Sequence, residues 1–220
     1  MYPTSPVEPE WLRKLARRQP KAAEMLAQSV EEQRRLGYFH TLREICQQPS
    51  TWMQTSELMC GRADILQAPL AGISSLTLTG SGSSEYAGDC VRLPLQNELG
   101  IVTHATGGGV LLAHGSRALP PGGPRLIVSL ARSGDSPESV GALSLMLRTR
   151  RDIRHVVLTC NEASNQARTY KRDPRVSVIT LGDDTTDRGL GRTGRFTLPR
   201  LPQTFCGSPP QPARLERLFA

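Results

Sequence analysis

Two short segments of this 220-residue chain gather groups suited to holding an anion: GSGSS, Gly80 to Ser84, and RSGDSPES, Arg132 to Ser139. Their glycines let backbone amides come close to a ligand, among them Gly82 and Gly134, while Ser83, Ser84, Ser133 and Ser136 add hydroxyl donors and Arg132 adds charge. Together with the backbone at Asp135, this is the chemistry of a phosphate cradle that uses no metal. Ser83 and Ser136 also fit ordinary helix N-caps, with Pro137 at the first helical position. Either loop alone therefore reads both ways, and their pairing is what favours an anion site.

The pairing depends on the elements that carry the loops. From Ser75 onward, short β-rich runs alternate with helix-length segments: LTLT (76–79), IVTHAT (101–106), RLIVSLA (125–131), HVVLTC (155–160) and VSVITL (176–181). Such alternation predicts parallel strands buried on both faces. The expected fold class is α/β, a doubly wound, flavodoxin-like five-stranded parallel sheet in a three-layer αβα sandwich, preceded by helices. Its simplest strand order is 2-1-3-4-5, in which ligands bind beyond the carboxyl ends of strands 1 and 3. Both Gly/Ser loops follow those two strands.

Residues 1–72 read as a helical segment. Ala22, Met25, Leu26 and Val30 recur at helical spacing, TLRE from Thr41 to Glu44 fits a capping box, and Pro20 and Pro49 divide the segment into pieces. Residues 73–197 read as the phosphate-binding domain, and 198–220 as an irregular tail rich in Pro and Arg. Six arginines against the single acid Glu216 between Arg188 and Ala220 carry +5 of the net +7. The basicity thus belongs mostly to a solvated tail, and neither a nucleic-acid partner nor a membrane is expected. No run of about 18 apolar residues occurs. The scattered cysteines, Cys46, Cys60, Cys90, Cys160 and Cys206, read as reduced thiols of a cytoplasmic protein, not as a disulfide or zinc framework.

Several chemistries are excluded by what the loops lack. Glu85 stands where a dinucleotide fingerprint needs its third glycine, and strand 2 ends in THAT without an acid for a ribose. P-loop and GxSxG patterns are missing. No cofactor and no metal are expected, and a compact, hydroxyl-rich ligand with a terminal phosphate, such as a sugar phosphate, fits best. Chemistry on such a ligand would need a general base and a general acid beside the sugar. Glu85, Asp135, Glu162, Asp187 and His104 are candidates, but no pair among them has catalytic spacing. Each also reads as a surface charge, or for His104 as a strand histidine. His40, His114 and His155 show no ligand spacing, so the catalytic residues stay unassigned.

TGSGSSEYAGD (79–89), SLARSGDSPESVGAL (129–143) and VVLTCNEAS (156–164) resemble the sugar isomerase (SIS) domain family. REICQQPSTW (43–52), RSGDSPES and DRGLGRTGRFT (187–197) resemble its tagatose-6-phosphate ketose/aldose isomerase subgroup, which includes galactosamine-6-phosphate deaminases. The resemblance covers roughly residues 41–197 and implies a hexosamine or hexose 6-phosphate as ligand. It places Ser83 and Ser84 at one end of the phosphosugar, and Ser133, Ser136 and the backbone of Gly134 and Asp135 around the phosphate. Asn161 matches a lining position and also reads as a strand-end turn residue; Glu138 reads as a helix cap or as a sugar-hydroxyl contact. Members of the subgroup carry two SIS domains, with acid/base groups attributed to the second, whereas the motifs here are those of the N-terminal one alone. The expectation is therefore a truncated isomerase/deaminase; the alternative is a non-catalytic phosphosugar sensor or interaction subunit. Because SIS relatives commonly pair, a homodimer is also open.

Overall fold

The computed structural model describes residues 10–181. Its strands are β1 (Ser75–Gly80), β2 (Val102–Gly107), β3 (Arg125–Ala131), β4 (Ile153–Thr159) and β5 (Val176–Thr180). All pair in parallel in the order β2-β1-β3-β4-β5, the order expected from the alternating pattern. Register brings Thr79 of β1 level with Ser129 of β3, and Gly80 level with Gly107 of β2. The loops that follow β1 and β3 therefore leave the same edge of the sheet side by side.

Among the described residues five helices precede the sheet: α1 (Glu10–Arg18), α2 (Pro20–Ala27), α3 (Val30–Arg35), α4 (Phe39–Cys60) and α5 (Ala63–Leu70). The crossovers are α6 (Ser83–Leu99), α7 (Gly108–His114) with a short 3-10 turn at Gly115–Ala118, α8 (Pro137–Thr149) and α9 (Asn165–Tyr170). One face of the sheet, through Leu76, Leu78, Val128 and Leu158, packs against Met59 of α4, Leu66 of α5 and Val91 and Leu95 of α6. On the other face, Ile127 and Ile153 meet Leu111 of α7 and Met146 of α8, and Val157 and Val176 meet Leu143 and Leu147 of α8.

The expectation of strands buried on both faces fails at β2. Val102 is 56% exposed and His104 is exposed, because β2 is an edge strand with α6 packed against it.

The amino-terminal pieces also differ from the pattern reading. Pro20 does open a helix, but α4 runs straight through Pro49, its length held by burial of Glu44, Thr51, Thr55, Ser56 and Met59. A proline deletes one helical donor, and tertiary burial along the rest of the helix outweighs that loss. No capping box forms at Thr41, which lies inside α4 behind the N-cap Tyr38. Val30 starts a separate helix whose cap is Ser29, the side chain accepting from the Glu32 amide at 3.2 Å.

Arg43, the first residue of REICQQPSTW, has a structural task. Its guanidinium lies 4.3 Å from the Phe39 ring centre and donates to the Phe39 carbonyl at 3.0 Å and to the buried amide oxygen of Gln33. Gln33 in turn donates to the carbonyls of Leu26 at 3.0 Å and Gln28 at 2.6 Å, so one buried amide joins three helices. Arg154 of β4 donates to the carbonyls of Ala68 and Ala71 at 3.2 and 2.6 Å, which anchors the end of α5 to the sheet. The segment DRGLGRTGRFT, the tail 198–220, Asp187 and Cys206 lie outside the described residues.

Candidate functional site

The first loop is folded tightly on itself. A Cβ on Gly80 would lie 2.6 Å from the Ser84 Cβ and 2.7 Å from the Ser84 carbonyl carbon, so this turn is open only to glycine. Gly82 is the N-cap of α6 with φ of 59°, and the amides of Ser84 and Glu85 turn back to the carbonyls of Ser81 (3.4 Å) and Gly82 (3.0 Å). Ser83 is thus the first helical residue and not the cap, while Ser84 behind it is buried. Gly80→Ala is expected to destabilise the fold by roughly 1–3 kcal/mol, the usual cost of overpacking. Urea unfolding checks this, and a change under about 0.5 kcal/mol would show that the loop relaxes freely.

The second loop is held from the β4–α9 side. The Cys160 amide donates to the carbonyls of Ala131 (3.3 Å) and Arg132 (3.2 Å), and the Thr159 hydroxyl donates to the Arg132 carbonyl at 3.3 Å. Gly134, buried with φ of 67°, carries the turn, and its carbonyl accepts from the Gln166 amide at 3.2 Å. The Ser133 hydroxyl accepts from the Asp135 amide at 3.3 Å. Ser136 occupies the N-cap of α8 with Pro137 behind it, but its side chain makes no capping bond. A serine at that place that does not cap leaves the positive end of a 13-residue helix without a side-chain partner from its N-cap, just beyond the carboxyl end of β3.

Gly82, Ser83 and Ser84 therefore stand beside Arg132, Ser133, Gly134, Asp135 and Ser136 at the carboxyl ends of neighbouring strands. The helices α6 and α8 both begin there. Asn161 is at the edge of the same site, with its amide committed to the protein: it donates to the Ser133 carbonyl at 3.2 Å and accepts from the Ala163 amide at 3.0 Å. It holds the loop and closes the β4 turn.

The candidate acids and bases are dispersed. The Asp135 carboxylate accepts from the Asn165 amide at 2.7 Å, at the start of α9. Glu162 is largely exposed and pairs with Lys171 at 3.6 Å. His104 lies in the middle of β2, away from its carboxyl end. Glu85 is the exception, half-buried in the first turn of α6 with its carboxylate set over Gly107 at the end of β2. Glu138, in the first turn of α8, is exposed. Among the described residues no cluster of three His, Cys, Asp or Glu side chains could hold a metal ion, and Cys46, Cys60, Cys90 and Cys160 form no disulfide. No described helix is long and apolar enough to cross a membrane.

Sequence reasoning did not single out Ser81 or Ser139. Their hydroxyls lie 3.0 Å apart and join the two loops directly. The signal was present in part, since Ser139 follows Ser136 by about one helical turn and Ser81 sits between the two loop glycines.

The chain carries a sugar isomerase (SIS) domain: its parallel β2-β1-β3-β4-β5 sheet, with serine-rich loops after β1 and β3, matches solved sugar-phosphate isomerases, and its curated relatives are deaminases of the same group. No family model matches the chain. Its place within the class comes from individual relatives. It is 38% identical over 163 residues to a provisionally named D-galactosamine-6-phosphate deaminase AgaS of Streptomyces coelicolor, covering 72% of this chain and 42% of that protein. It is 31% identical over 176 residues to D-galactosamine-6-phosphate deaminase AgaS of Shewanella sp., covering 77% of this chain and 46% of the relative. The crystal structure of tagatose-6-phosphate ketose/aldose isomerase from Escherichia coli superimposes with a TM-score of 0.68 at 27% identity, over 75% of this chain and 47% of that one. The SIS domain here is of this deaminase and ketose/aldose isomerase group. The chain spans less than half the length of these relatives.

Proposed function

We propose that the crevice between the β1 and β3 loops binds a hexosamine or hexose 6-phosphate, as the phosphosugar-binding SIS domain of an isomerase/deaminase. One observation carries this reading: Ser136 stands at the N-cap of α8 without capping it, beside the left-handed turn at Gly134, so its hydroxyl is not committed to the helix terminus. A phosphate there gains charge-assisted hydrogen bonds and the helix field, with Arg132 on the same loop. In this reading Gly82, Ser83 and Ser84 contact the sugar from the α6 side, and Ser133, Gly134, Asp135 and Ser136 surround the phosphate. Asn161 holds the Ser133 backbone in place.

A thermal-shift series with galactosamine 6-phosphate, glucosamine 6-phosphate and tagatose 6-phosphate tests it. A ligand at 100 times its Kd stabilises by about 2.7 kcal/mol, a rise in Tm of roughly 5–10 °C. No shift with any of the three at millimolar concentration overturns the assignment.

A second reading, a non-catalytic phosphosugar sensor or interaction subunit, is supported by the commitments of Asp135 and Glu162 to α9 and Lys171. It expects the same thermal shift with no turnover of any of the three sugars. Pairing of two copies, which would let one chain complete the site of another, is part of the first reading and is checked by sedimentation.

A further inference from the structure

Ser81 and Ser139 are 58 positions apart and sit on different crossovers, yet their hydroxyls meet at 3.0 Å. A serine in the first turns of a helix ordinarily bonds to its own helix backbone. Ser139 instead points out of α8 to the loop that follows β1. The pair is partly enclosed: Ser139 is 7% exposed, Ser81 is half-buried, and a Cβ on Gly108, where β2 hands over to α7, would fall 3.2 Å from the Ser81 hydroxyl and 3.4 Å from the Glu138 carbonyl. Three crossovers therefore meet at this hydrogen bond, where partial burial strengthens it.

We propose that Ser81 and Ser139 are positioning residues that set the separation of the two loops. The pair thereby governs affinity for ligands long enough to engage both loops, and leaves affinity for phosphate alone unchanged. The proposal rests on the phosphosugar reading above. Phosphate is held by the β3 loop, whose conformation is secured independently by Cys160, Asn161 and Gln166. A sugar phosphate must also reach Ser83 and Ser84, whose distance from that loop depends on the hydroxyl pair.

The test is calorimetric titration of the full chain with galactosamine 6-phosphate and, in parallel, inorganic phosphate. Ser81→Ala is expected to weaken the sugar phosphate about tenfold, the equivalent of one hydrogen bond's worth of misplacement, with inorganic phosphate changed less than about twofold. Ser139→Ala gives the same split. The double variant is no weaker than either single one, because both remove the same bond. Ser81→Thr, which keeps the hydroxyl, restores affinity. Should Ser139→Ala fail to fold, Ser81→Ala in the half-exposed loop supports the comparison alone.

Unchanged sugar-phosphate affinity in Ser81→Ala, additive losses in the double variant, or equal losses for both ligands would each overturn the proposal while leaving the phosphosugar reading intact. If the unaltered chain binds inorganic phosphate but no sugar phosphate, both fall together.

Discussion

Gly134→Ala is expected to unfold the second loop and abolish sugar-phosphate binding. An alanine Cβ there would lie 2.6 Å from both Cβ and Oγ of Ser164 and 3.2 Å from the Thr159 hydroxyl. Neither neighbour can swing aside. Both are buried, the Ser164 hydroxyl caps α9 by accepting from the Ala167 amide at 3.2 Å, and Thr159 holds the Arg132 carbonyl. Left-handed backbone adds about 1–2 kcal/mol of strain for a residue with a side chain, and overpacking about 1–3 kcal/mol. A total near 3 kcal/mol lowers Tm by roughly 10 °C. Gly37→Ala is the control: its φ is 79° but nothing lies within 4 Å of the added Cβ, so strain alone operates and binding persists. Equal melting temperatures for the two variants, with ligand binding retained in both, would remove the steric argument.

Stability is expected to fall steeply between pH 6.5 and 4 because of one histidine far from the site. His155 is buried in β4, and neither ring nitrogen finds a hydrogen-bond partner among the described residues. Burial first, then the positive charge of Arg175, pushes its pKa down to about 4, with Asp173 opposing in part. The unfolded chain, with an ordinary histidine value near 6.5, takes up a proton in this window while the folded chain does not. The stability is therefore fully present above pH 6.5 and is lost as pH falls through the folded value, by roughly 3 kcal/mol in all. Urea unfolding at pH 7.5, 6, 5 and 4.5 should show it, and His155→Leu should flatten the slope. The salt-bridged Asp152 and Asp173, whose carboxyls arginine partners hold below their usual values, stabilise the fold throughout this window and lose that contribution only at lower pH. A slope that survives His155→Leu would assign the acid sensitivity to another group.

Sheet order and loop placement are legible in the sequence because both follow from local texture. Apolar runs such as RLIVSLA and HVVLTC alternate with helix-length segments, and chain handedness leaves few ways to assemble them. The Gly/Ser loops then fall at the reversal point of the winding. The bond between Ser81 and Ser139 is not legible in this way, since two crossovers intervene and only the assembled sheet brings α8 against the first loop. The side-chain bonds of Asp135 and Asn161 are likewise not legible in the sequence: they meet the amides of Asn165 and Ala163 and the carbonyl of Ser133, partners that only the folded β4–α9 corner supplies. At Thr41 and Pro49, local capping and helix-breaking rules gave way to burial along α4. The exposure of β2 follows from its position at the edge, which composition alone does not announce.

The grip on the second loop comes mainly from main-chain amides, those of Cys160, Asn165 and Gln166, received by the carbonyls of Ala131, Arg132 and Gly134 and by the Asp135 carboxylate. Every residue except proline supplies such an amide. The clamp can thus persist through neutral drift at these three positions. What natural selection must preserve is the geometry of the β4–α9 corner, so lineages with this fold are free to diverge in its lettering while inheriting the same hold on the loop.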